Sequence, residues 1–177
     1  MPNINEILLN SFKNENIAVS DSQLAQFIRY YELLLEWNEK INLTAITEPA
    51  DVAVKQFADS LLALKMLPDD NWQNKKMIDI GTGAGFPAIP LKIMKQSLDV
   101  ILFDSLQKRL KFLDTVCQEL ALANIRTVHG RAEDSGQDKT MREQYDIACA
   151  RAVAKMPVLL EYTLPFVKVG GYFIALK

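Results

Sequence analysis

The sequence predicts an α/β fold: an open, mostly parallel sheet with helices on both faces, preceded by a helical segment. Three observations predict it. From Met77 onward, short apolar runs alternate with amphipathic helical stretches, as in repeated βα units with right-handed crossovers. The run from Val100 to Phe103 is apolar at every position, which is typical of a central parallel strand. The residues before Pro68 show helical periodicity instead.

Composition places the chain among ordinary globular proteins. It has 177 residues, of which 49% are hydrophobic and 24% charged, with a formal net charge of -2. This balance supports one substantial core and argues against a surface that is basic throughout, although a local basic patch is compatible with it. No apolar run has membrane-spanning length, and the N-terminus lacks a secretory apolar stretch. We therefore expect a cytoplasmic protein without membrane attachment.

The N-terminal segment predicts three helices. The first begins near Ile4, and the second begins at a capping box formed by Ser20 and Gln23 and runs to about Asn38. The third has Pro49 in its first turn. Its inward-facing residues are predicted to be Val54, Phe57, Leu61 and Leu64. We assign residues 1–68 to a helical segment packed on the main domain and residues 77–177 to the α/β domain.

Five strands follow in the second region. They are predicted over residues 77–80, 100–103, 125–128, 145–150 and 172–176. The apolar stripe from Leu110 to Leu120 predicts a helix between the second and third strands. A further helix is predicted from Met156 to Leu164, ended by Pro165 and the pair Gly170 and Gly171.

A glycine-rich loop directly after the first strand is the strongest local signal. Gly81, Gly83 and Gly85 permit positive φ angles and close approach of a ligand to the backbone, although a tight turn without a ligand is the alternative. Asp104 ends the second strand, where a carboxylate can accept hydrogen bonds from both ribose hydroxyls. The two features together predict a nucleoside-containing cofactor.

The spacing of the loop distinguishes two cofactors. A dinucleotide site needs a third glycine where this chain has Phe86, and Pro87 and Pro90 remove two amide donors from the helix that follows. A pyrophosphate would be poorly bound there, which argues against an NAD-dependent oxidoreductase. S-adenosylmethionine has no phosphate, so the same loop suits it.

Ligands of open α/β sheets bind beyond the carboxyl ends of the strands. That rule nominates Asp79, Gly81, Asp104, Ser105, Leu106, Ala132, Glu133 and Arg151. Glu133 is either an adenine contact or a helix cap, and Arg151 either lies beside the methyl position or forms a structural ion pair. One histidine and two distant cysteines make no metal site.

A series of motifs spans nearly the whole chain in a specific order. It comprises Glu36-Trp37-Asn38, residues 41–46, Asp59-Ser60-Leu61, residues 79–90, Asp104-Ser105-Leu106, Lys108-Arg109, Arg131-Ala132-Glu133, residues 151–154 and Ala175-Leu176-Lys177. This series resembles the glucose-inhibited division protein B family of bacterial small-subunit ribosomal RNA methyltransferases. The resemblance implies a Rossmann-like class I methyltransferase fold, S-adenosylmethionine as cofactor, and methylation of nitrogen 7 of one guanine in 16S ribosomal RNA. The implied partner is the small ribosomal subunit particle, and we expect a monomer.

The resemblance also assigns roles to the strand-end residues. It implies that Gly81 and Phe86 contact the cofactor, that residues 104–106 hold the ribose side and residues 132–133 the adenine side, and that Arg151 lies in the pocket next to the cofactor. The full candidate cofactor-binding set is Asp79, Gly81, Gly83, Gly85, Phe86, Asp104, Ser105, Leu106, Ala132, Glu133 and Arg151. Nitrogen 7 of guanine already carries a lone pair, so we expect no acid–base pair and give Arg151 an orienting role. Candidate phosphate contacts are Arg29, Lys40, Lys55, Lys92, Lys95 and Lys155.

Two departures from the family pattern leave alternatives open. Gln56 stands where the family usually has a histidine, and the chain stops at Lys177, where family members continue into a closing β-hairpin. We therefore expect the last strands to be missing and the fifth strand to form an unprotected edge. A catalytically silent cofactor-binding assembly factor and a small-molecule methyltransferase are the alternative functions.

Overall fold

A five-stranded parallel sheet forms the centre of the structure, a computed structural model that describes residues 3–176. The strands are β1 (Lys76–Ile80), β2 (Asp99–Asp104), β3 (Ile125–His129), β4 (Tyr145–Arg151) and β5 (Val167–Leu176). Their order is β3-β2-β1-β4-β5, and all four pairings are parallel. The order reverses between β1 and β4, where open sheets of this kind bind ligands. Met1, Pro2 and Lys177, the last residue of the final motif, lie outside the described residues.

Helices cover both faces of this sheet. They are α1 (Ile4–Asn14), α2 (Asp21–Ile41), α3 (Pro49–Asp51), α4 (Asp59–Leu62), α5 (Ala88–Met94), α6 (Gln107–Glu119), α7 (Ala132–Ser135) and α8 (Met156–Thr163). The predicted capping box is present, since Ser20 and Gln23 exchange side-chain and backbone hydrogen bonds at the start of α2. Helix α2 is longer than predicted and ends where Asn42 adopts the left-handed conformation. Among residues 3–176 no helix is both long and apolar enough to cross a membrane.

A π-helix over Val52–Ala58 joins α3 to α4. Its wider turn shifts the residues that face inward, so Val54, predicted to be buried, is 54% exposed. The prediction for Val54 is therefore wrong, because it assumed a regular α-helical period. Phe57 and Leu61 are fully buried as predicted, and the changed register also turns Gln56 inward.

Strand β5 begins earlier than predicted, at Val167 rather than Tyr172. Gly170 and Gly171, predicted to follow a helix, lie within this strand, and Gly170 has a φ of 82°. The pairing of β4 with β5 shifts register between Tyr145 and Ile147. The extra residues of β5 are accommodated there as an irregularity of the bulge type.

Alternate residues of the central strands enter two cores, one on each face of the sheet. On one face, Met77, Val100, Leu102 and Cys149 pack with α1, α2, the π-helix, α5 and α6. On the other face, Ile78, Ile101, Phe103 and Ala148 pack with Leu159 of α8 and Phe166. This two-sided burial explains the uniformly apolar strands and confirms the predicted fold class.

Candidate active site

Two adjoining cavities lie at the carboxyl ends of the strands. The first, here called the β3-side cavity, has a volume of about 340 Å³ and reaches Gly130, Ala132, Glu133 and Tyr162. The second, the β4-side cavity, has a volume of about 430 Å³. The residues that line this cavity and not the first are Leu43, Thr44, Gln56, Thr82, Gly83, Ala84, Phe86, Arg109, Arg151 and Ala152. Both cavities share Gly81, Asp104, Ser105 and Val153, so they form one cleft with a common wall.

The glycine loop curves beneath this cleft. The amides of Gly81 and Thr82 both donate to the carbonyl of Phe103, at 2.8 and 3.0 Å, which ties the loop to the end of β2. Gly81 has a φ of +66°, and a Cβ atom there would lie 2.8 Å from Cγ2 of Val153. A side chain at this position would therefore fill the junction between the two cavities.

Asp104 holds the centre of the cleft. Its side chain is 2% exposed, and its two oxygens accept hydrogen bonds from the amides of Gly83 and Leu106, both at 2.9 Å. Nη1 of Arg109 lies 3.4 Å from Oδ2 and supplies an opposite charge. The carboxylate is thus fixed in position: Oδ2 accepts from both Gly83 and Arg109, whereas Oδ1 accepts from Leu106 alone and keeps a further lone pair for a ligand.

Asp79 lies beneath the glycine loop and on the wall of neither cavity. It is fully buried, and its Oδ2 accepts from Oγ1 of Thr82 at 2.7 Å and from the amide of Ala88 at 3.4 Å. Within residues 3–176 its other oxygen has no hydrogen-bond partner. Burial raises the pKa of Asp79 to about 7, although the hydrogen bond from Thr82 opposes this rise.

Arg151 closes the other end of the β4-side cavity. Its guanidinium carbon lies 5.1 Å from the centre of the Phe86 ring, and Nη1 donates to the Lys55 carbonyl at 3.1 Å and to Oδ2 of Asp59 at 3.4 Å. Desolvation lowers the pKa of Arg151, whereas the charge of Asp59 opposes this shift. The structure therefore contains the ion pair considered for Arg151 and also places the residue on the cavity wall.

Tyr30, from α2, supports the glycine loop from the opposite side. Its ring stacks on Phe86 with centroids 5.3 Å apart and an interplanar angle of 23°, and its hydroxyl donates to the carbonyl of Ala84. A Cβ atom on Gly85 would lie 2.6 Å from this hydroxyl. Sequence reasoning missed Tyr30, because helical periodicity can indicate at most that a residue is buried and not which loop it contacts.

The β3-side cavity contains the residues predicted for the adenine. Glu133 is exposed, and hydrogen bonds from its own backbone amide and from Tyr162 lower its pKa. Glu133 is the second residue of α7, whose N-cap residue is Arg131, and among the described residues no side-chain cap hydrogen bond is present at this helix start. The helix-cap interpretation of Glu133 is therefore not supported, whereas its place on the cavity wall fits a ligand contact.

The cleft brings together most of the predicted cofactor-binding residues. Those on its walls are Gly81, Gly83, Phe86, Asp104, Ser105, Ala132, Glu133 and Arg151. Asp79, Gly85 and Leu106 line neither cavity, although the Leu106 amide holds Asp104. Sequence reasoning did not place Thr44, Gln56 or Arg109 in the site. The signals that pointed toward them were the motif over residues 41–46, the absence of the family histidine at Gln56 and the Lys108-Arg109 motif.

One predicted phosphate contact is wrong. Lys92 is 1% exposed, and its Nζ donates to the carbonyls of Gln96 at 2.7 Å and Leu98 at 2.5 Å. A buried ammonium held by two carbonyls closes the turn between α5 and β2 and is out of reach of RNA.

Comparison with known proteins identifies the family. The family model for rRNA small subunit methyltransferase G, also described as GidB, matches residues 23–177. The chain belongs to this family. A ribosomal RNA small subunit methyltransferase G from Alkaliphilus oremlandii is 52% identical over 176 residues, which cover 98% of this chain and 72% of the relative. The predicted family is therefore confirmed, and with it the dependence on S-adenosylmethionine.

Solved structures of bacterial methyltransferases share the fold of this chain. The crystal structure of a putative caffeoyl-CoA O-methyltransferase from Staphylococcus aureus gives a TM-score of 0.60 at 17% identity, covering 97% of this chain and 71% of that chain. A methyltransferase from Geobacter sulfurreducens in complex with S-adenosyl-L-homocysteine gives a TM-score of 0.51 at 17% identity, covering 66% and 47%. At these identities the likeness concerns the fold alone, which is that of S-adenosylmethionine-dependent methyltransferases.

Proposed function

We propose that this chain transfers a methyl group from S-adenosylmethionine to nitrogen 7 of a guanine in 16S ribosomal RNA, within a small ribosomal subunit particle. One observation carries the proposal: two adjoining cavities share the wall formed by Gly81, Asp104, Ser105 and Val153. The β3-side cavity can hold the nucleoside part of a cofactor, while the β4-side cavity takes its methionine part and admits a base beside it. The name of the family supplies the class of RNA.

The residues present fit the cofactor. Ala132, Glu133 and Tyr162 border the space for an adenine, Oδ1 of Asp104 offers its free lone pair to a ribose hydroxyl, and the loop at Gly81 and Gly83 leaves room for the methionine part. Position 81 leaves this room because glycine has no side chain: a Cβ atom there would lie 2.8 Å from Cγ2 of Val153. When bound, S-adenosylmethionine supplies an electrophilic methyl group on a sulfonium.

The remaining task of the protein is alignment, since nitrogen 7 carries its lone pair without deprotonation. Arg151 is held by Asp59, the Lys55 carbonyl and the face of Phe86, so its side chain has a defined direction at the cavity wall. We assign it an orienting role toward the base or a phosphate. No proton transfer is required of any residue in the cleft.

Basic side chains at the cleft provide contacts for the RNA backbone. Arg131 lines the β3-side cavity and Arg109 the β4-side cavity. Lys55 is close by but pairs with Asp51 at 2.8 Å, and exposed ion pairs of this kind are weak enough to exchange for a phosphate. The proposal includes a cytoplasmic monomer in which residues 1–68 form a helical segment packed on the domain of residues 77–177.

Calorimetric titration with S-adenosylmethionine tests the cofactor site, with NAD as the control ligand. We expect saturable binding of S-adenosylmethionine alone, reduced more than about tenfold by Asp104→Ala because the ribose loses its acceptor. Asp99→Ala is the matched control: Asp99 lies at the other end of β2, is partly exposed and pairs with Arg126 at 3.7 Å. Equal binding by the two variants would contradict the assignment of Asp104.

Methyl transfer is then measured on small ribosomal particles that lack the modification, with radiolabelled cofactor and analysis of the nucleosides. Label in 7-methylguanosine of 16S RNA supports the proposal. Cofactor binding without any transfer would instead favour the silent assembly factor. Transfer to small molecules but not to RNA would favour the small-molecule enzyme.

A further inference from the structure

Gln56 presents a buried amide at the wall of the β4-side cavity. Its side chain is 5% exposed and lines that cavity. Nε2 makes a long hydrogen bond of 3.4 Å to Oγ1 of Thr44, and within the described part of the chain Oε1 has no partner. A buried polar atom left unpaired costs free energy, so its retention beside a ligand cavity calls for an explanation.

The backbone is built to turn Gln56 inward. Gln56 lies within the π-helix Val52–Ala58, and π-helical turns often occur at functional sites. The same stretch presents the Lys55 carbonyl to Arg151 and leads into Asp59, the ionic partner of Arg151. The π-helix thus directs several polar groups toward one cavity.

Thr44 is fixed as the second member of this wall. Its amide donates to Oδ1 of Asn38 at 2.8 Å, and its Oγ1 accepts from the amide of Ile46 at 3.0 Å as well as from Gln56. Since both of these contacts use Oγ1 as an acceptor, its hydroxyl hydrogen is free to donate. Gln56 and Thr44 together therefore offer one acceptor and one donor, both uncharged.

A guanine in the β4-side cavity carries hydrogen-bonding groups that match Gln56 and Thr44. Nitrogen 7 lies on the major-groove edge of guanine, with oxygen 6 next to it, whereas the N–H donors at positions 1 and 2 lie on the Watson–Crick edge, beyond oxygen 6. With nitrogen 7 directed at the cofactor loop, these groups turn away from the loop. Leu43, Thr44 and Gln56 form the part of the wall that comes from the N-terminal segment rather than from the sheet.

We propose that Gln56, supported by Thr44, reads the target base: its amide oxygen accepts a hydrogen bond from the N–H groups of guanine, and the Thr44 hydroxyl completes the contact. This inference rests on the proposed function and adds to it the residues that select guanine. Adenine has no hydrogen on nitrogen 1, so it forms a poorer pair with the same groups.

The test compares Gln56→Met with Gln26→Met. Gln26 is a matched control because its Oε1 is also unpaired within residues 3–176, while its Nε2 donates to the Leu120 carbonyl at 2.8 Å, on neither cavity wall. Each variant is assayed on particles carrying guanine or adenine at the methylated position. Thermal stability and the Kd for S-adenosylmethionine are measured alongside.

We expect Gln56→Met to reduce kcat/KM for the guanine particle by about 10- to 100-fold and to reduce the preference for guanine over adenine by a similar factor. The Kd for the cofactor should stay within about twofold and the melting temperature should not fall, because methionine removes an unpaired polar group at similar volume. Gln26→Met should leave all RNA parameters unchanged. Thr44→Val provides a second variant with a smaller loss of the same preference.

Two negative results have different meanings. If the unchanged chain methylates the guanine particle and Gln56→Met keeps full selectivity, Gln56 does not read the base. If the unchanged chain binds S-adenosylmethionine but labels neither particle, the proposed function itself is contradicted. Equal losses in both glutamine variants would indicate a structural role and would overturn the inference.

Discussion

Replacing Gly85 by alanine tests how closely α2 packs against the glycine loop. Gly85 has a φ of +96°, and an added Cβ atom would lie 2.6 Å from both the Tyr30 hydroxyl and Cδ1 of Ile89, and 2.9 Å from Cδ2 of Leu113. A left-handed backbone costs a residue with a side chain about 1–2 kcal/mol, and overpacking a tight core costs about 1–3 kcal/mol. We expect the free energy of unfolding to fall by about 2–5 kcal/mol for Gly85→Ala.

Gly83→Ala is the control for this experiment. Gly83 also has a positive φ, of +60°, but the nearest atom to an added Cβ is the Gly81 carbonyl oxygen at 3.9 Å. Only the backbone cost of about 1–2 kcal/mol applies there. Urea denaturation followed by circular dichroism, without cofactor, measures both losses. If Gly85→Ala costs no more than Gly83→Ala, the packing between α2 and the loop is looser than described.

Two further predictions concern groups around the same loop. Because burial raises the pKa of Asp79 from 3.8 to about 7, the folded chain holds a proton between about pH 4 and pH 7 that the unfolded chain has lost, so this group lowers stability as the pH rises through that range. The free energy of unfolding of Asp79→Asn minus that of the unchanged chain should therefore increase from about pH 4 to pH 7 and then level off. Urea titrations that gave the same difference at all of these pH values would contradict this prediction. Tyr30→Phe, which removes the hydrogen bond to the Ala84 carbonyl, should raise the Kd for S-adenosylmethionine about 3- to 10-fold. Tyr31→Phe, which loses a 3.3 Å bond to the Thr47 carbonyl, should leave that Kd unchanged, and equal effects in calorimetry would argue against a role of Tyr30 in positioning the loop.

The strand-end residues were predictable because their positions depend on local pattern and a general rule. The run before Gly81 and the run before Asp104 each indicate a buried strand, and parallel neighbours bring their carboxyl ends to one edge. Knowing where each strand ends is therefore enough to bring Gly81, Asp104 and Arg151 to one edge, without knowing the packing of the helices.

The contribution of the N-terminal segment was not predictable in this way. Thr44 and Gln56 reach the cleft through the end of α2 and a π-helix, and neither a loop path nor a change from α to π geometry has a periodic signal. The spacing of Val54, Phe57 and Leu61 in the sequence is that of one face of an α-helix, which is why Val54 was predicted to face inward. The contact of Tyr30 with the loop joins residues 54 positions apart, and it depends on tertiary packing alone.

The shared wall of the cleft has a consequence for how such a protein can diverge. Among residues 3–176, those that line the β3-side cavity all lie from Ile80 onward, whereas Leu43, Thr44 and Gln56 line the β4-side cavity and not the other. Substitutions in the loop after α2 or in the π-helix therefore remodel one cavity and leave every wall of the other in place. During evolution, the β3-side cavity can therefore be inherited unchanged while drift and selection alter the β4-side cavity.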